Sequence, residues 1–309
     1  MFSKSHHFAI TGGAGFIGSH LAKELVRLGQ QVTVIDNLCG ADGSNLKEIE
    51  GKIQFVKADV CHFPVLKSAF EGIDFVFHLA AQVSVARSVQ CPEETWQNNV
   101  QGTENVLEAA LQAGVKKVVF ASSSSVYGNG TDVPYMENAA LEFKSPYALS
   151  KYMGEKLCRH YTEVFGLHTI ILRGFNVFGP GQRTDGPYAA VVAKFIQTAK
   201  EDKPFPIHGD GSQVRDFIYV EDVVKANLLA VQQGGAGEAY NVASGQPCSV
   251  QELCQLIEQI AGRSLGCVFL PERAGDVAIS SANINKMKSL GFVPAVSLKE
   301  GLKRTWQAY

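Results

Sequence analysis

Short apolar runs rich in β-branched and aromatic residues recur through the first half of the chain. Turn residues bound each run, and the segments between them repeat their apolar positions every three or four residues. The runs are HFAIT (7–11), QVTVID (31–36), IQFVKAD (53–59), DFVFHLA (74–80), KKVVFASS (116–123) and HTIILR (168–173). Such runs suit strands buried on both faces, and their alternation with helices predicts a parallel sheet wrapped on both sides. Helices are expected at about 16–28, 93–113 and 146–165, punctuated by breakers such as Gly29, Pro92 and Gly114. The predicted fold class is α/β, a doubly wound parallel-sheet Rossmann domain with a smaller C-terminal substrate-binding lobe.

After Arg173 the texture changes. Gly- and Pro-rich stretches, GPGQRTDGP (179–187) and GDG (209–211), separate shorter elements, whereas FIYVEDVVKANLLAVQQ (217–233) returns to the regular strand and helix pattern. The expected division is a first domain over 1–173 with a return segment at about 215–240, and a second lobe built from 174–214 and 241–309. No internal repeat or low-complexity tract interrupts it.

Composition narrows the partner. With 309 residues and 46% hydrophobic content, the chain can bury a sizeable core. Its formal charge of -2 and lack of any Lys/Arg run argue against nucleic acid and membrane surfaces, leaving a small molecule as the expected partner. The 7 cysteines are scattered and never form CxxC, so they read as reduced thiols and not as a disulfide frame or metal site. The start, MFSKSHHFAI, has no apolar signal-peptide core, and no apolar stretch approaches the ~18 residues of a membrane span. The expectation is a soluble cytoplasmic protein.

The first strand runs straight into TGGAGFIGSH (11–20), which opens a helix. In this context Gly12 and Gly15 permit tight turning and close backbone approach to a pyrophosphate. Gly18 lets helix and strand pack, and the helix N-terminus faces the phosphates. Asp36 closes the next strand, where a carboxylate accepts from the adenosine ribose hydroxyls and repels a 2′-phosphate. NAD is therefore the expected cofactor, in preference to NADP. Asp59, at the end of the third run, is a candidate for the adenine amino group.

In SPYALSK (145–151), Tyr147 and Lys151 stand four apart on one helix face. Alone, such a pair is an ordinary surface contact; beside a dinucleotide site it becomes a candidate acid/base pair. A phenol with an unperturbed pKa near 10 needs adjacent positive charge to act as a base at neutral pH. Lys151 and an oxidised nicotinamide both supply it.

The chain resembles the extended short-chain dehydrogenases/reductases, and among them the nucleotide-sugar 4-epimerases. The resemblance is carried by TGGAGFIGSH, VIDNL, KADV (57–60), HLAAQ (78–82), NNVQGT (98–103), SSSSVYG (122–128), PYALSK, RGFNVFGPGQ (173–182), GDGSQVRDFIYVEDV (209–223) and PERAGDV (271–277). It implies that Tyr147 is the acid/base, that Lys151 also holds the nicotinamide ribose, and that a strand-end serine bridges substrate and tyrosine. Ser123 has the family spacing before Tyr127-Gly128; strand alternation leaves Ser124 open as the alternative. The same resemblance extends the NAD site to Phe16, Ile17, Asn37, Val60, Leu79, Ala80, Ala81 and Asn99.

Dehydratases and decarboxylases of this kind carry acids where Ser124 and Ser125 stand, so elimination lacks its acid and base here. The implied reaction is inversion at C4 of a UDP-hexose through a 4-keto sugar. Asn176, Arg215 and Arg273 are implied for the diphosphate, Asp276 for a ribose and His208 for the base, since guanidinium suits phosphate. Ser280, small where the C2 substituent is bordered, points to N-acetylhexosamines as well as glucose and galactose. The resemblance further implies a homodimer through helices 93–113 and 146–165. Rival readings are a uronate epimerase, an NAD-dependent sugar-nucleotide reductase and, remotely, a non-catalytic NAD-sensing protein.

Overall fold

The computed structural model describes residues 4–183, 190–272 and 277–309. Seven parallel strands form the central sheet: β1 (His7–Thr11), β2 (Gln31–Asp36), β3 (Gln54–Lys57), β4 (Phe75–His78), β5 (Lys117–Ser123), β6 (His168–Gly174) and β11 (Ala239–Val242). Their order is β11-β6-β5-β4-β1-β2-β3. The chain moves outward from β1 through β2 to β3, then crosses to β4 and moves the other way. The C-terminal ends of β1 and β4 thus flank the switch point, where doubly wound sheets place their ligands.

Alternation along β1 shows how the layers are filled. Phe8 and Ile10 face a core with Leu21 and Leu25 of α1 (Phe16–Arg27) and Val223 and Val224 of α8 (Val220–Gln233). Ala9 faces the opposite core, with Leu66 of α2 (Phe63–Ala69), Val106 of α5 (Gly102–Gln112) and Cys158 of α6 (Pro146–Phe165). Two short helices, α3 (Val85–Gln90) and α4 (Pro92–Trp96), lead towards α5.

The remaining elements build smaller layers. The strand of the return segment, β10 (Phe217–Tyr219), pairs with β7 (Asn176–Phe178) and stays outside the main sheet. Its helix α8 lies on the sheet with α1. Strands β8 (Phe205–His208) and β13 (Cys267–Leu270) pair, and β9 (Val214–Arg215) lies between β12 (Cys248–Ser249) and β14 (Ile279–Ser280). A separate core of Phe178, Phe195, Phe205, Leu253 and Leu302 joins these strands to α7 (Val191–Lys200), α9 (Val250–Ala261) and α11 (Leu298–Ala308). Helix α10 (Asn285–Lys288) packs on β11.

Two element readings are corrected. The expected helix 93–113 is three pieces, because a π-helical turn, Gln97–Gln101, separates α4 from α5. Periodicity passes through one wide turn almost unchanged, so the pattern did not reveal it. Helices α2 and α3 also escaped the pattern, being 7 and 6 residues long. By contrast, α6 has clear punctuation: Ser145 Oγ accepts from Ala148 N–H, Pro146 opens the helix, and Gly166 at φ 74 ends it.

Candidate active site

The glycine turn is shaped by contacts that exclude side chains. Gly12 has φ +69, and a Cβ there would lie 2.6 Å from the Ala80 nitrogen. A Cβ on Gly18 would lie 2.4 Å from the Gly12 carbonyl oxygen, so α1 packs directly on the turn. Gly15 is the N-cap and makes no side-chain cap. The first N–H groups of α1 therefore face the turn without an internal acid, a fitting cradle for a pyrophosphate. Phe16 and Ile17 pack against the separate core of Phe178, Phe205 and Leu302.

Asp36 ties this turn to the end of β2. Its Oδ2 accepts from Ala14 N–H at 3.0 Å and its Oδ1 from Leu38 N–H at 2.8 Å. Each carboxylate oxygen keeps a second lone pair for a ribose hydroxyl. The Asn37 amide donates to Asp59 at 2.7 Å, while Cys61 N–H donates to the other Asp59 oxygen at 2.8 Å. Burial opposes ionisation of Asp59, but these hydrogen bonds outweigh it and hold the carboxyl below its usual range. Val60 is buried against Gly102, and Leu79, Ala80 and Ala81 line the strand end beside Gly12. The residues present fit an adenine dinucleotide.

Opposite this cradle, β5 delivers the serines. Ser122 Oγ donates to Glu155 at 2.6 Å, away from the cleft; the next residue, Ser123, is placed to pull the Tyr147 pKa down. Ser123 Oγ also accepts from Ser125 N–H at 3.2 Å. Strand alternation thus points Ser123 at the tyrosine, while Ser124 lies in the short turn Ser124–Tyr127. Burial raises the Tyr147 pKa, and Ser123 pulls against that rise.

Lys151 is buried one turn along. Its Nζ donates to the Ala121 carbonyl at 2.8 Å and sits 5.1 Å from the centre of the Phe120 ring. Burial lowers its pKa to about 8. Asn99 is also buried. Its amide donates to Ser150 Oγ and the Gln82 carbonyl and accepts from Gln82 N–H, so it braces the cleft wall against α6.

Beyond the strand ends, the Asn176 amide donates to the Asp216 carbonyl at 3.3 Å. Arg215 and Ser280 are register partners on β9 and β14, and the Arg215 guanidinium donates to the Val214 carbonyl at 2.9 Å. His208 lies apart from this pair, at the end of β8, with Nδ1 2.9 Å from the Pro271 carbonyl. Arg273 and Asp276 lie outside the described residues.

Several supporting residues were not anticipated. Ser88 Oγ accepts from Tyr147 N–H at 3.1 Å. Glu155 and Arg173 form a buried bidentate pair at 2.7 and 2.8 Å. Burial alone would lower the Arg173 pKa, but Glu155 overrides it and the pKa is raised. Arg173 also donates to the Tyr127 hydroxyl, which donates to Asn241. Glu155 had a signal, since it continues the four-residue spacing of Tyr147 and Lys151 along one face. Ser88 had none, because its contact crosses between distant segments.

A model described as the NAD dependent epimerase/dehydratase family matches residues 8–243. The chain is 39% identical to a putative UDP-glucose 4-epimerase of Methanocaldococcus jannaschii, over 96% of this chain and 95% of the relative. It is also 38% identical to a UDP-N-acetyl-alpha-D-glucosaminuronate decarboxylase of Bacillus cytotoxicus, over 96% of each. A solved structure, the UDP-N-acetylglucosamine 4-epimerase of Methanobrevibacter ruminantium M1 in complex with UDP-N-acetylmuramic acid, superposes with a TM-score of 0.95. It has 36% identity and covers 99% of this chain and 98% of its own.

Proposed function

Since the chain belongs to the NAD dependent epimerase/dehydratase family, we propose that it inverts C4 of a UDP-hexose. The proposed substrates are UDP-glucose and UDP-galactose, together with UDP-N-acetylglucosamine and UDP-N-acetylgalactosamine. Identity alone does not choose the reaction, because an epimerase and a decarboxylase resemble the chain almost equally. The choice rests on one observation: Ser123, at the end of β5, acts on the buried Tyr147 phenol and opposes the rise in its pKa, while the two following positions, Ser124 and Ser125, carry no acid. Proton transfer at one oxygen is supplied, and the acid and base needed to remove a second group are not.

NAD, when bound, supplies the hydride acceptor and donor for C4. Tyr147 takes the proton of the sugar 4-hydroxyl and returns one to the same oxygen after the sugar has turned. Ser123 holds that oxygen within reach of the phenol. Lys151 places a cation in the same buried site, where charge acts more strongly than in water. Asn176 and Arg215, with Arg273, Asp276 and His208, are assigned to the nucleotide diphosphate, which anchors the substrate while the sugar turns. Ser280 is assigned to the C2 pocket. It is small and buried, in register with Arg215, and so leaves room for an acetamido group.

In this reading, residues 1–173 with the return segment at about 215–240 hold NAD, and 174–214 with 241–309 hold the nucleotide sugar. The segments 93–113 and 146–165 form the homodimer face, supported by a shallow hollow between them lined by Val100, Met153, Lys156, Leu157 and His160. No helix among the described residues is long and apolar enough to cross a membrane, and the proposed location is the cytoplasm. The test is conversion of UDP-glucose and of UDP-N-acetylglucosamine, with absorbance at 340 nm followed throughout. The expected result is C4 epimers of both with no net NADH change. Stoichiometric consumption of added NADH would replace the reading by a reductase, and release of carbon dioxide from UDP-glucuronate in a parallel reaction would replace it by a decarboxylase.

A further inference from the structure

The imidazole of His78, at the end of β4, lies wholly inside the protein between two threonines. Thr11 Oγ1 is 2.7 Å from Nδ1, and Thr103 Oγ1 is 3.0 Å from Nε2. Donor accounting fixes the tautomer. The Thr103 hydroxyl hydrogen is committed to the Asn99 carbonyl at 2.6 Å, so Thr103 accepts from His78, and Nε2 must carry the proton. Burial, aided by the charge of Lys151, lowers the His78 pKa to about 3. Nδ1 is then a bare acceptor for the Thr11 hydroxyl, and Thr11 Oγ1 accepts from Ala80 N–H at 3.4 Å.

The chain continues past Asn99. The Asn99 amide donates to Ser150 Oγ at 2.9 Å, and Ser150 Oγ donates to the carbonyl of Tyr147 at 2.7 Å. One directed path therefore runs from Ala80, against which Gly12 packs, to the backbone of Tyr147. The π turn Gln97–Gln101 contains Asn99, whose carbonyl receives the Thr103 hydroxyl while its side chain reaches Gln82 and Ser150. Wide turns of this kind concentrate at functional sites. Every polar atom on the path has a partner, so breaking its middle strands groups at both ends.

We propose that His78 is a positioning residue which, through Thr103 and Asn99, locks the π turn and fixes where Tyr147 stands relative to the glycine turn. This rests on the acid/base assignment of Tyr147. A displacement of about 1 Å at a reacting group costs up to ~100-fold in rate, so the path governs turnover more than substrate affinity.

The test compares His78→Phe, which fills the space without polar atoms, with His78→Gln, whose amide oxygen and nitrogen can replace Nδ1 and Nε2. In the NAD-bound protein, His78→Phe is expected to lower kcat at least ~10-fold with KM for UDP-glucose within about twofold, and His78→Gln to recover most of that loss. Nitrogen NMR of the wild type is expected to show a neutral ring protonated on Nε2. The Tyr147 phenol titration, read as the ultraviolet difference from Tyr147→Phe, should move in His78→Phe and return in His78→Gln. Unchanged kcat in His78→Phe, equal losses in both variants, or an Nδ1-protonated ring would overturn the proposal. If the wild type converts no UDP-hexose, the functional reading fails alone, and the nitrogen spectrum and phenol titration still decide the role of His78.

Discussion

Tyr147 meets an ionisation problem that its surroundings solve in part. Burial raises its pKa, Ser123 opposes that rise, and the buried Lys151 cation is one helical turn away. Replacing Tyr147 by Phe should lower epimerisation by roughly 100- to 10,000-fold, the span of a lost general acid/base, while NAD binding measured by calorimetry persists. Retained turnover would remove Tyr147 from the proton path. His78 carries a separate, activity-independent prediction. Its folded pKa, about 3, lies below the ordinary 6.5, so between these values the unfolded chain binds the proton that the folded protein refuses. Stability is then full above pH 6.5 and falls as pH drops, by up to ~1.4 kcal/mol per unit from this one group. Denaturant melts from pH 7 to 4 should show a shallower acid limb in His78→Gln than in the wild type; parallel limbs would contradict the buried neutral ring. Much of this was legible beforehand. Strand context nominated Gly12, Gly18 and Asp36, and only beside that site did their spacing nominate Tyr147 and Lys151. The choice between Ser123 and Ser124 needed the direction of Ser122, which only the fold supplies.

The glycine turn shows how backbone proximity becomes a sequence requirement. A Cβ on Gly18 would meet backbone, namely the Gly12 oxygen at 2.4 Å, and no flexible side chain can give way. Gly18→Ala is expected to separate α1 from the turn and weaken NAD binding at least ~10-fold, readable by fluorescence titration with NADH. Unaltered affinity would show that α1 is not the phosphate cradle. At Gly102 the close neighbour is a side chain instead, Val60 Cγ2 at 2.6 Å from where a Cβ would lie. Here the sequence was less transparent. NNVQGT marked the segment, but its π turn comes from the side-chain bonds of Asn99 and Thr103, which a count of apolar spacing does not see. The strand β11 was missed for a related reason: AYNV is four residues long and its Asn241 reads as a turn, whereas the fold buries that amide against Tyr127 and the Tyr135 carbonyl.

Across the assembled chain, Arg173 and Glu155 connect the layers that meet at the site. The pair joins β6 to α6, Ser122 adds β5, and Tyr127 with Asn241 carries the network to β11. Arg173→Met leaves Glu155 buried with only the Ser122 hydroxyl and the more distant Arg159, at 3.9 Å, to compensate it, with an expected loss of about 3 kcal/mol in urea unfolding; the double replacement with Glu155→Leu should recover much of it. A small loss in the single variant would mean the carboxylate reaches water. The proposed homodimer makes a further demand, since a charge at Met153 should disfavour association. Met153→Arg is expected to shift sedimentation from dimer to monomer, and an unchanged profile would place the interface elsewhere. What unites these layers is one claim, that hydride leaves and returns to C4 within a single protected site. The decisive measurement is proton NMR of UDP-glucose with the enzyme in deuterium oxide, NAD being added only if the protein is purified without it. The account predicts the C4 epimer with its H4 and H5 protons fully retained. Deuterium at C4 or C5 of the product would show exchange with solvent and contradict direct hydride return.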